Sequence, residues 1–430
     1  EQIFAHTIAM SVHPARMPPP WQHVAMGGAA ARNGCIRAVG FDDAQSLLPF
    51  GPRSFHGYRL LHEYFVMPQR FMFAELQGLR AAMQKCDEQT TELDIVLLLK
   101  EADNDLETAV SADNFQLFCT PAVNLFPKRA DRIHISDRFF EFHVVADRTR
   151  PLDYEVWDVA AVQGFSEATN IVAQDFLPFY AAYDDGSSAR SGGAFFSVNR
   201  LARTVTKQQR PHQRSKKYIG SEVYISLVDS KAAPYSGELK QLGIELRCTN
   251  RDLPIRMTVG RGATDFTMDE GGPVDSIRVL GIPTDPRESF AMSQTSWRVI
   301  SHLSLNYLSI CDSDSRQGAA ALRDLLKLYS DHADAPTRKQ IEGVRSVKST
   351  PIVRRVAAPG PIAFARGLEI AVTLEEAAFD GIGPFVLGAV LDHFFAKYVS
   401  LNSFTETVVR TTDRNEIMRW PSRTGLRQIV

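Results

Sequence analysis

Alternating apolar and polar residues predict several half-buried β-strands along this chain. Apolar side chains occupy every second position in residues 242–248 and again in residues 368–374. Because successive side chains of a strand point to opposite faces, each run indicates a strand with one buried face. Three further segments have strand-like patterns, residues 93–100, 222–228 and 275–283.

Helical spacing of apolar residues is clearest towards the C-terminal end. In residues 384–400, six apolar side chains from Leu387 to Tyr398 follow the spacing of one helix face, and Pro384 suits the first turn. Three polar residues fall off that stripe, Asp392, His393 and Lys397. The other predicted helices are residues 56–68, 293–310 and 318–330.

The pattern predicts an α+β, strand-rich, multi-domain chain with amphipathic helices mainly in the C-terminal third. Residues 1–55 are predicted to be irregular, with a stiff extended linker at 17–21, and residues 183–217 to form a long exposed connection. The expected division is 1–55 as an irregular remnant of an upstream region, 56–180 as a mixed α/β domain, 181–290 as a β-rich domain and 291–430 as a C-terminal α+β domain.

Composition excludes several classes of protein. The 430 residues are 44% apolar and 23% charged, which is typical of a soluble globular protein. A formal net charge of −2 provides no general attraction to nucleic acid or anionic lipid. The five cysteines are scattered and form no C-x-x-C pair, which argues against a disulfide framework or zinc module and fits a reducing compartment.

The chain contains no apolar run of membrane-spanning length. Its first residues, EQIFAHTIAM, lack an initiator methionine and the pattern of a secretory signal. We therefore expect the natural protein to begin upstream of this sequence.

Cys119 is the one candidate nucleophile, because two histidines, His134 and His143, follow it. A catalytic thiol needs a nearby cation or a helix N-terminus to lower its pKa. The surrounding sequence, FCTPAVNLF, is an apolar strand pattern leading into a Thr-Pro turn, and the first basic residue is Lys128. The pattern favours a buried cysteine at a strand end over a hydrolase.

Other chemistry is weakly supported. His56 and His62 lie six residues apart, and His134 and His143 nine apart, so neither pair has the spacing of metal ligands on one helix face. The acidic clusters at 42–43, 184–185 and 312–314 have the composition of turns or helix caps, and G-x-S-x-G and Walker motifs are absent.

Residues 203–217, RTVTKQQRPHQRSKK, form a basic segment with no acidic residue. They could bind an anion, nucleic acid or an acidic partner, but only Tyr218 offers an adjacent aromatic ring for stacking. We favour a solvated loop.

Six blocks, taken in order, are similar to one family. They are GYRLLHEYFVMPQRFMF (57–73), CTPAVNLF (119–126), CTNRDLP (248–254), WRVISHLSLNYLSI (297–310), VLDHFFAKYVSLNSFTETVV (390–409) and RWPSRTGLR (419–427). On these blocks the chain resembles the TssF family (also VasA or ImpG) of type VI secretion baseplate subunits, although the family's N-terminal region with its YYxxEL-type helix has no counterpart here.

The resemblance implies a non-enzymatic scaffold, similar to wedge proteins of contractile-phage baseplates. It implies a wedge core of two TssF copies with one TssG, joined to TssK adaptors around the VgrG spike and supporting the sheath. It also implies a cytoplasmic location, in a baseplate docked at the inner membrane. No catalytic residue, cofactor or metal follows from it.

The polar residues inside these blocks have structural explanations. Turn chemistry and buried hydrogen bonds account for most of them. We expect Asn124 to hold the turn after Cys119, and Asn250 with Asp252 to fix the NRDLP loop. The full set is Arg59, Tyr64, Pro68, Asn124, Asn250, Arg251 and Asn306.

Overall fold

A computed structural model of the chain divides into two compact units. One contains residues 1–122 together with 296–430, and the other contains residues 123–295. The residues that it describes are 2–15, 24–26, 34–49, 56–84, 90–102, 104–136, 138–166, 172–179, 193–204, 218–229, 239–286, 315–329, 335–356, 363–400 and 402–425.

The described elements, numbered in chain order, are as follows. The helices are α1 (Gln2–His6), α2 (His56–Val66), α3 (Leu79–Met83), α4 (Asn104–Ala109), α5 (Ser315–Lys327), α6 (Ala335–Glu342) and α7 (Pro384–Tyr398). The strands are β1 (Thr7–Pro14), β2 (Val24–Met26), β3 (Ile36–Ala38), β4 (Ala74–Leu76), β5 (Leu93–Leu99), β6 (Phe126–Arg129), β7 (Ile133–His134), β8 (Phe142–Val144), β9 (Glu155–Phe165), β10 (Val172–Pro178), β11 (Ala194–Ala202), β12 (Ser221–Asp229), β13 (Gln241–Thr249), β14 (Val344–Val356), β15 (Ala363–Leu374), β16 (Phe404–Thr411), β17 (Met418–Arg419) and β18 (Arg423–Thr424).

The first unit is assembled from both ends of the chain around a five-stranded sheet. Its strands follow the order β14-β15-β16-β17, with β18 pairing with β16. β15 and β16 run parallel, so the chain must cross over between them, and α7 forms that crossover. The apolar core includes side chains of α2, α5 and α7 against β14, β15 and β16. The sequence-based division into four consecutive segments differs from this arrangement, because a linear division cannot join distant segments.

Helix α7 is buried on nearly all sides, rather than on one stripe. Twelve of its residues are buried, and Asp392, which lies off the apolar stripe, is 0% exposed. A Cβ on Gly388 would lie 2.7 Å from a methyl of Val409, so the helix backbone packs directly on β16. Pro384 occupies the first turn, as predicted.

Residues 1–55 contain regular structure, so the prediction of an irregular segment was wrong. β1 lies at the centre of a three-stranded sheet, β2-β1-β5, and β3 pairs with β4. Met10 and Val12 are buried in the core of the first unit. Long-range pairing with β5 orders this segment, and periodicity within it could not show that partner. The predicted linker at 17–21 lies outside the described residues.

The second unit is an eight-stranded sheet. Its order is β6-β13-β9-β10-β11-β12-β8, with β7 also pairing with β13. The alternation predicted for residues 242–248 is confirmed, because Leu242, Ile244, Leu246 and Cys248 are all buried. Only β10 and β11 form a parallel pair among its described strand pairs.

The remaining predictions are confirmed in part. The exposed connection predicted at 183–217 is wrong over residues 194–202, which form β11 with Ala194, Phe195 and Phe196 buried. Strands at 93–100, 222–228 and 368–374 are confirmed, and so are helices at 56–68, 318–330 and 384–400, each within a few residues. The predicted strand at 275–283 is wrong, since that segment forms a loop with one isolated bridge from Ile277 to Phe266. The predicted helix at 293–310 lies outside the described residues.

Candidate functional site

Cys119 lies in an irregular segment, and no described residue is placed to act as its catalytic partner. It is partly exposed, and its Sγ contacts the Leu117 carbonyl oxygen at 3.5 Å. Within the described chain no hydrogen bond or ion pair joins this thiol to a histidine or a cation. The preceding Phe118 has φ of 57° and a fully exposed ring. The prediction of a buried cysteine at a strand end was therefore wrong, and so was the role given to Asn124, which is exposed and makes no hydrogen bond to described residues.

The candidate histidines are dispersed. His143 stacks on Tyr224 with ring centroids 4.9 Å apart, His134 pairs with Gln241 across β7 and β13, and His62 lies edge-on to Tyr329. In the part of the chain that the structure describes, no group of three His, Cys, Asp or Glu residues could hold a metal ion.

The described acidic cluster at 42–43 is used in ion pairs. Asp42 pairs with Arg37, and Asp43 lies 3.0 Å from Lys397 and 3.5 Å from Arg59. Cations therefore neutralise both carboxylates. The clusters at 184–185 and 312–314, and the basic segment 203–217 beyond Thr204, lie outside the described residues.

A buried ionic cluster joins α2 to the turn that follows it, within the first block of the resemblance (57–73). Arg59 Nη1 is 3.2 Å from Glu63 Oε2, and Arg70 Nε is 2.5 Å from the same oxygen. All three residues are at most 5% exposed. Burial lowers the pKa of the Arg70 guanidinium, and the Glu63 carboxylate opposes that shift.

This cluster holds the chain segment before α2 in place. Arg59 donates to the Phe41 carbonyl at 3.1 Å, Arg70 donates to the Gly40 carbonyl at 3.1 Å, and the Leu47 N–H donates to Glu63 at 3.1 Å. Gly40 has φ of +104°, a conformation that favours glycine. The cluster therefore satisfies backbone groups of the segment before α2. Tyr64, from the same block, donates to Gln340 at 3.1 Å and joins α2 to α6.

A second polar cluster closes one end of the sheet in the other unit. Glu155 accepts hydrogen bonds from the Ser221 hydroxyl at 2.6 Å, from the Ser221 N–H at 2.8 Å and from the Tyr218 hydroxyl. Arg200 donates to the Val156 carbonyl at 2.6 Å, and burial lowers the pKa of its guanidinium. These hydrogen bonds satisfy polar groups at the start of β9, near the end of β11 and at the start of β12.

The NRDLP loop joins this cluster. Asn250 donates to the Asp153 carbonyl at 3.4 Å, which confirms that Asn250 fixes the loop. Arg251 has φ of 55° and donates to the Ile219 carbonyl at 2.8 Å. Asp252 is buried and lies 3.9 Å from Arg256. Asn250 and Arg251 thus hold the loop by hydrogen bonds, whereas the buried Asp252 Oδ2 has no hydrogen-bond partner among the described residues.

Exposed apolar side chains are the remaining candidates for function. They are numerous in segments without regular structure, whereas isolated exposed apolar residues are ordinary. The most exposed are Leu117, Phe118, Phe139, Phe140, Leu280, Ile282 and Phe364, each at least 65% exposed. No described helix is long and apolar enough to span a membrane.

These features define a class of protein that has two units, each with its own apolar core, exposed apolar side chains available for contact, and described buried polar groups that serve the structure. Comparison with known proteins gives the family. The family model "Type VI secretion system, TssF" matches residues 1–427, and the chain belongs to this family. This confirms the resemblance drawn from the six sequence blocks.

One curated relative is similar over most of the chain. It is the type VI secretion system component TssF1 of Pseudomonas aeruginosa strain PAO1, 50% identical over 392 residues. The match covers 91% of this chain and 62% of the relative, so the chain spans less than two thirds of that protein's length.

One solved structure shows the same fold. A type VI TssK-TssF-TssG baseplate subcomplex contains a chain that matches with a TM-score of 0.72 and 22% identity, covering 99% of this chain and 72% of that one. At this identity the match establishes fold alone, and it confirms the strand-rich α+β class. A second type VI baseplate complex matches with a TM-score of 0.47 and 22% identity over 87% of this chain and 60% of that one, which is too low to carry an argument.

Proposed function

We propose that this chain is a structural subunit of the type VI secretion system baseplate. The observation that carries the proposal is membership of the TssF family over residues 1–427, together with 50% identity to TssF1. A non-enzymatic role is supported by the surroundings of Cys119, which supply no base or cation from described residues. No cofactor is part of the proposal.

The proposed partners are the proteins found in a complex with a structurally similar chain. A solved TssF-like chain occurs in a complex with TssK and TssG. We propose that this chain joins a TssG and a second TssF copy in a wedge core, bound by TssK. In the assembled baseplate the core would surround the VgrG spike and support the sheath. The location would be cytoplasmic, with the baseplate docked at the inner membrane.

The physical features are those expected of an assembly subunit. Stable protein interfaces bury about 1,200–2,000 Å² and rely on apolar anchors with a polar rim. Exposed rings such as Phe139, Phe140 and Phe364 supply candidate anchors on ordered segments.

Co-expression with TssG tests the proposal. A tagged chain should retain TssG through purification, and light scattering should give a mass of two chains per TssG. A folded chain that stays monomeric in the presence of folded TssG would contradict it. Adding TssK to the purified complex, with and without TssG, would test the adaptor contact separately.

A further inference from the structure

A loop in the second unit is ordered by polar bonds while its apolar side chains face outwards. In this acidic loop (residues 264–282), Asp265 accepts hydrogen bonds from the N–H groups of Gly260 at 2.7 Å and Val279 at 2.9 Å. The Asp265 N–H donates to the Ile277 carbonyl at 2.7 Å, and Thr264 accepts from the Ile277 N–H at 3.0 Å. The loop therefore has a defined shape without a core of its own.

The exposed surface of the acidic loop is apolar and negatively charged. Its exposed apolar side chains are Phe266 at 47%, Met268 at 52%, Val274 at 50%, Leu280 at 69% and Ile282 at 84%. Asp269, Glu270 and Asp275 are exposed and make no ion pair with any described residue. Ordering a segment of this length costs conformational entropy, and burial of these side chains would offset that cost.

The first unit presents a surface of opposite charge at the end of the β14–β15 hairpin. Pairing between β15 and β16 begins at Gly367, so the basic hairpin end (residues 351–355 and 364–366) extends beyond the rest of the sheet. Val353 pairs with Arg366, and Arg355 pairs with Phe364. By strand alternation these four side chains share the face of the buried pair Val347 and Val372.

This face of the basic hairpin end is apolar and cationic. Val353 is 56% exposed and Phe364 is 69% exposed. Arg355 and Arg366 are also exposed, and neither has a carboxylate partner among the described residues. In an antiparallel ladder, diagonal neighbours lie about 7–8 Å apart, so the two cations flank the two apolar side chains.

We propose that the acidic loop of one copy of this chain docks on the basic hairpin end of a second copy. The two surfaces carry unpaired charges of opposite sign next to exposed apolar side chains, which is the arrangement that complementary interfaces use. The proposal identifies the two surfaces through which the second copy proposed above would bind, and so it rests on that proposed function.

The contact is heterologous, because it joins two different surfaces. Each copy in a pair therefore keeps one unused loop or one unused hairpin end, unless the rotation closes the assembly. Association should consequently continue beyond a dimer as concentration rises, or stop at a closed ring.

Charge reversal in separate chains provides the test. The loop variant carries Asp269→Lys with Glu270→Lys, and the hairpin variant carries Arg355→Glu with Arg366→Glu. The control is Lys348→Glu, which reverses one charge, half the change of the hairpin variant, on the opposite face of the same hairpin, where Lys348 pairs with Ala371. Sedimentation velocity of the full chain over a concentration series at low salt measures association, and thermal unfolding verifies that each variant is folded.

The expected result is self-association of the wild-type chain, weakened at least about tenfold in each double variant, since like charges then face each other. Lys348→Glu should associate as the wild type does. Mixing the loop and hairpin variants should restore association, because each loop then meets a hairpin end of opposite charge.

Three results would overturn the contact: a wild-type chain that is monomeric throughout, double variants that associate normally, or restoration only when all four changes are on one chain. Capture of TssG by the same variants separates this contact from the proposed function. If TssG is retained while reversal has no effect on association, only the contact is wrong.

Discussion

The buried ion pair between Asp392 and Arg423 permits a sharp test of the packing in the first unit. Asp392 is 0% exposed on α7, and the Arg423 side chain, on β18, is 34% exposed and donates to the Asp392 carboxylate. Burial raises the pKa of Asp392 above its ordinary value of 3.8, while Arg423 opposes that shift. The pair therefore attaches the last strand to the central helix.

Changing Arg423 to Met keeps most of the aliphatic stem but leaves the buried carboxylate unpaired. Removing one partner of a buried pair costs about 3–5 kcal/mol. Asp392 can limit that cost by becoming neutral in the folded state. Protonating a carboxyl of ordinary pKa 3.8 requires about 1.4 kcal/mol for each pH unit above that value. The limit is about 4 kcal/mol at pH 7 and falls below about 2 kcal/mol at pH 5.

The direction of the pH effect follows from the raised pKa. A carboxyl whose pKa is higher in the folded than in the unfolded state contributes stability at low pH, and this contribution is lost as pH rises through the folded value. Arg423→Met should therefore lose less stability at pH 5 than at pH 7. His393 changes in the opposite sense, because burial lowers its pKa and low pH favours the unfolded state.

Urea unfolding of the wild type, Arg423→Met, Asp392→Asn and the double variant at pH 7 and pH 5 provides the measurement. Asp392→Asn and the double variant both keep His393 and lack the Asp392 charge. The pH dependence of the difference between them therefore reports His393, and subtracting it leaves the effect of the Asp392 carboxylate. An Arg423→Met cost that is the same at both pH values, or costs that add in the double variant, would refute the reasoning.

Three further outcomes are expected. Glu63→Gln should lower the free energy of unfolding by about 3 kcal/mol, because Arg59 and Arg70 lose their shared buried partner, whereas Asp324→Asn in the exposed pair with Lys327 should change it by at most about 0.5 kcal/mol. Urea unfolding measures both, and similar costs would mean that Glu63 is not the buried partner of the two arginines. Gly388→Ala should destabilise by about 1–3 kcal/mol in the same assay, since its Cβ would lie 2.7 Å from Val409, and a neutral change would mean that α7 does not approach β16 so closely. Cys119 should react with a small alkylating reagent in the native protein, whereas buried Cys248, whose pKa burial raises to about 11, should react only on unfolding; mass spectrometry of the labelled peptides checks the order, and equal rates would contradict it.

Local sequence patterns predicted the helices and strands in which buried and exposed side chains alternate regularly along the chain. Residues 242–248 alternate because one face of β13 lies on the core, and the helical spacing of α5 and α7 reflects packing against the sheet. The segment 275–283 has a similar pattern but forms a loop, because no strand among the described residues pairs with it beyond the bridge at Ile277. A pattern of period two indicates the ability to pair, and the partner decides whether a strand forms.

The surroundings of single side chains were harder to predict. Cys119 had an apolar sequence context, yet it is partly exposed beside the fully exposed Phe118. Asp392 lies off the apolar stripe of α7, yet it is fully buried because β16 and β18 cover that side of the helix. Burial depends on residues far away in sequence, which periodicity within one segment cannot report.

By itself the sequence determined the family, the strand-rich class and most element positions, because ordered motifs and periodicity are local properties of the chain. Tertiary structure decided which segments share a core. It joins residues 1–122 with 296–430 in one unit, buries Arg59, Glu63 and Arg70 as one cluster, and leaves the acidic loop and the basic hairpin end uncovered. These features arise from contacts between distant segments, and they exist only after the chain has folded.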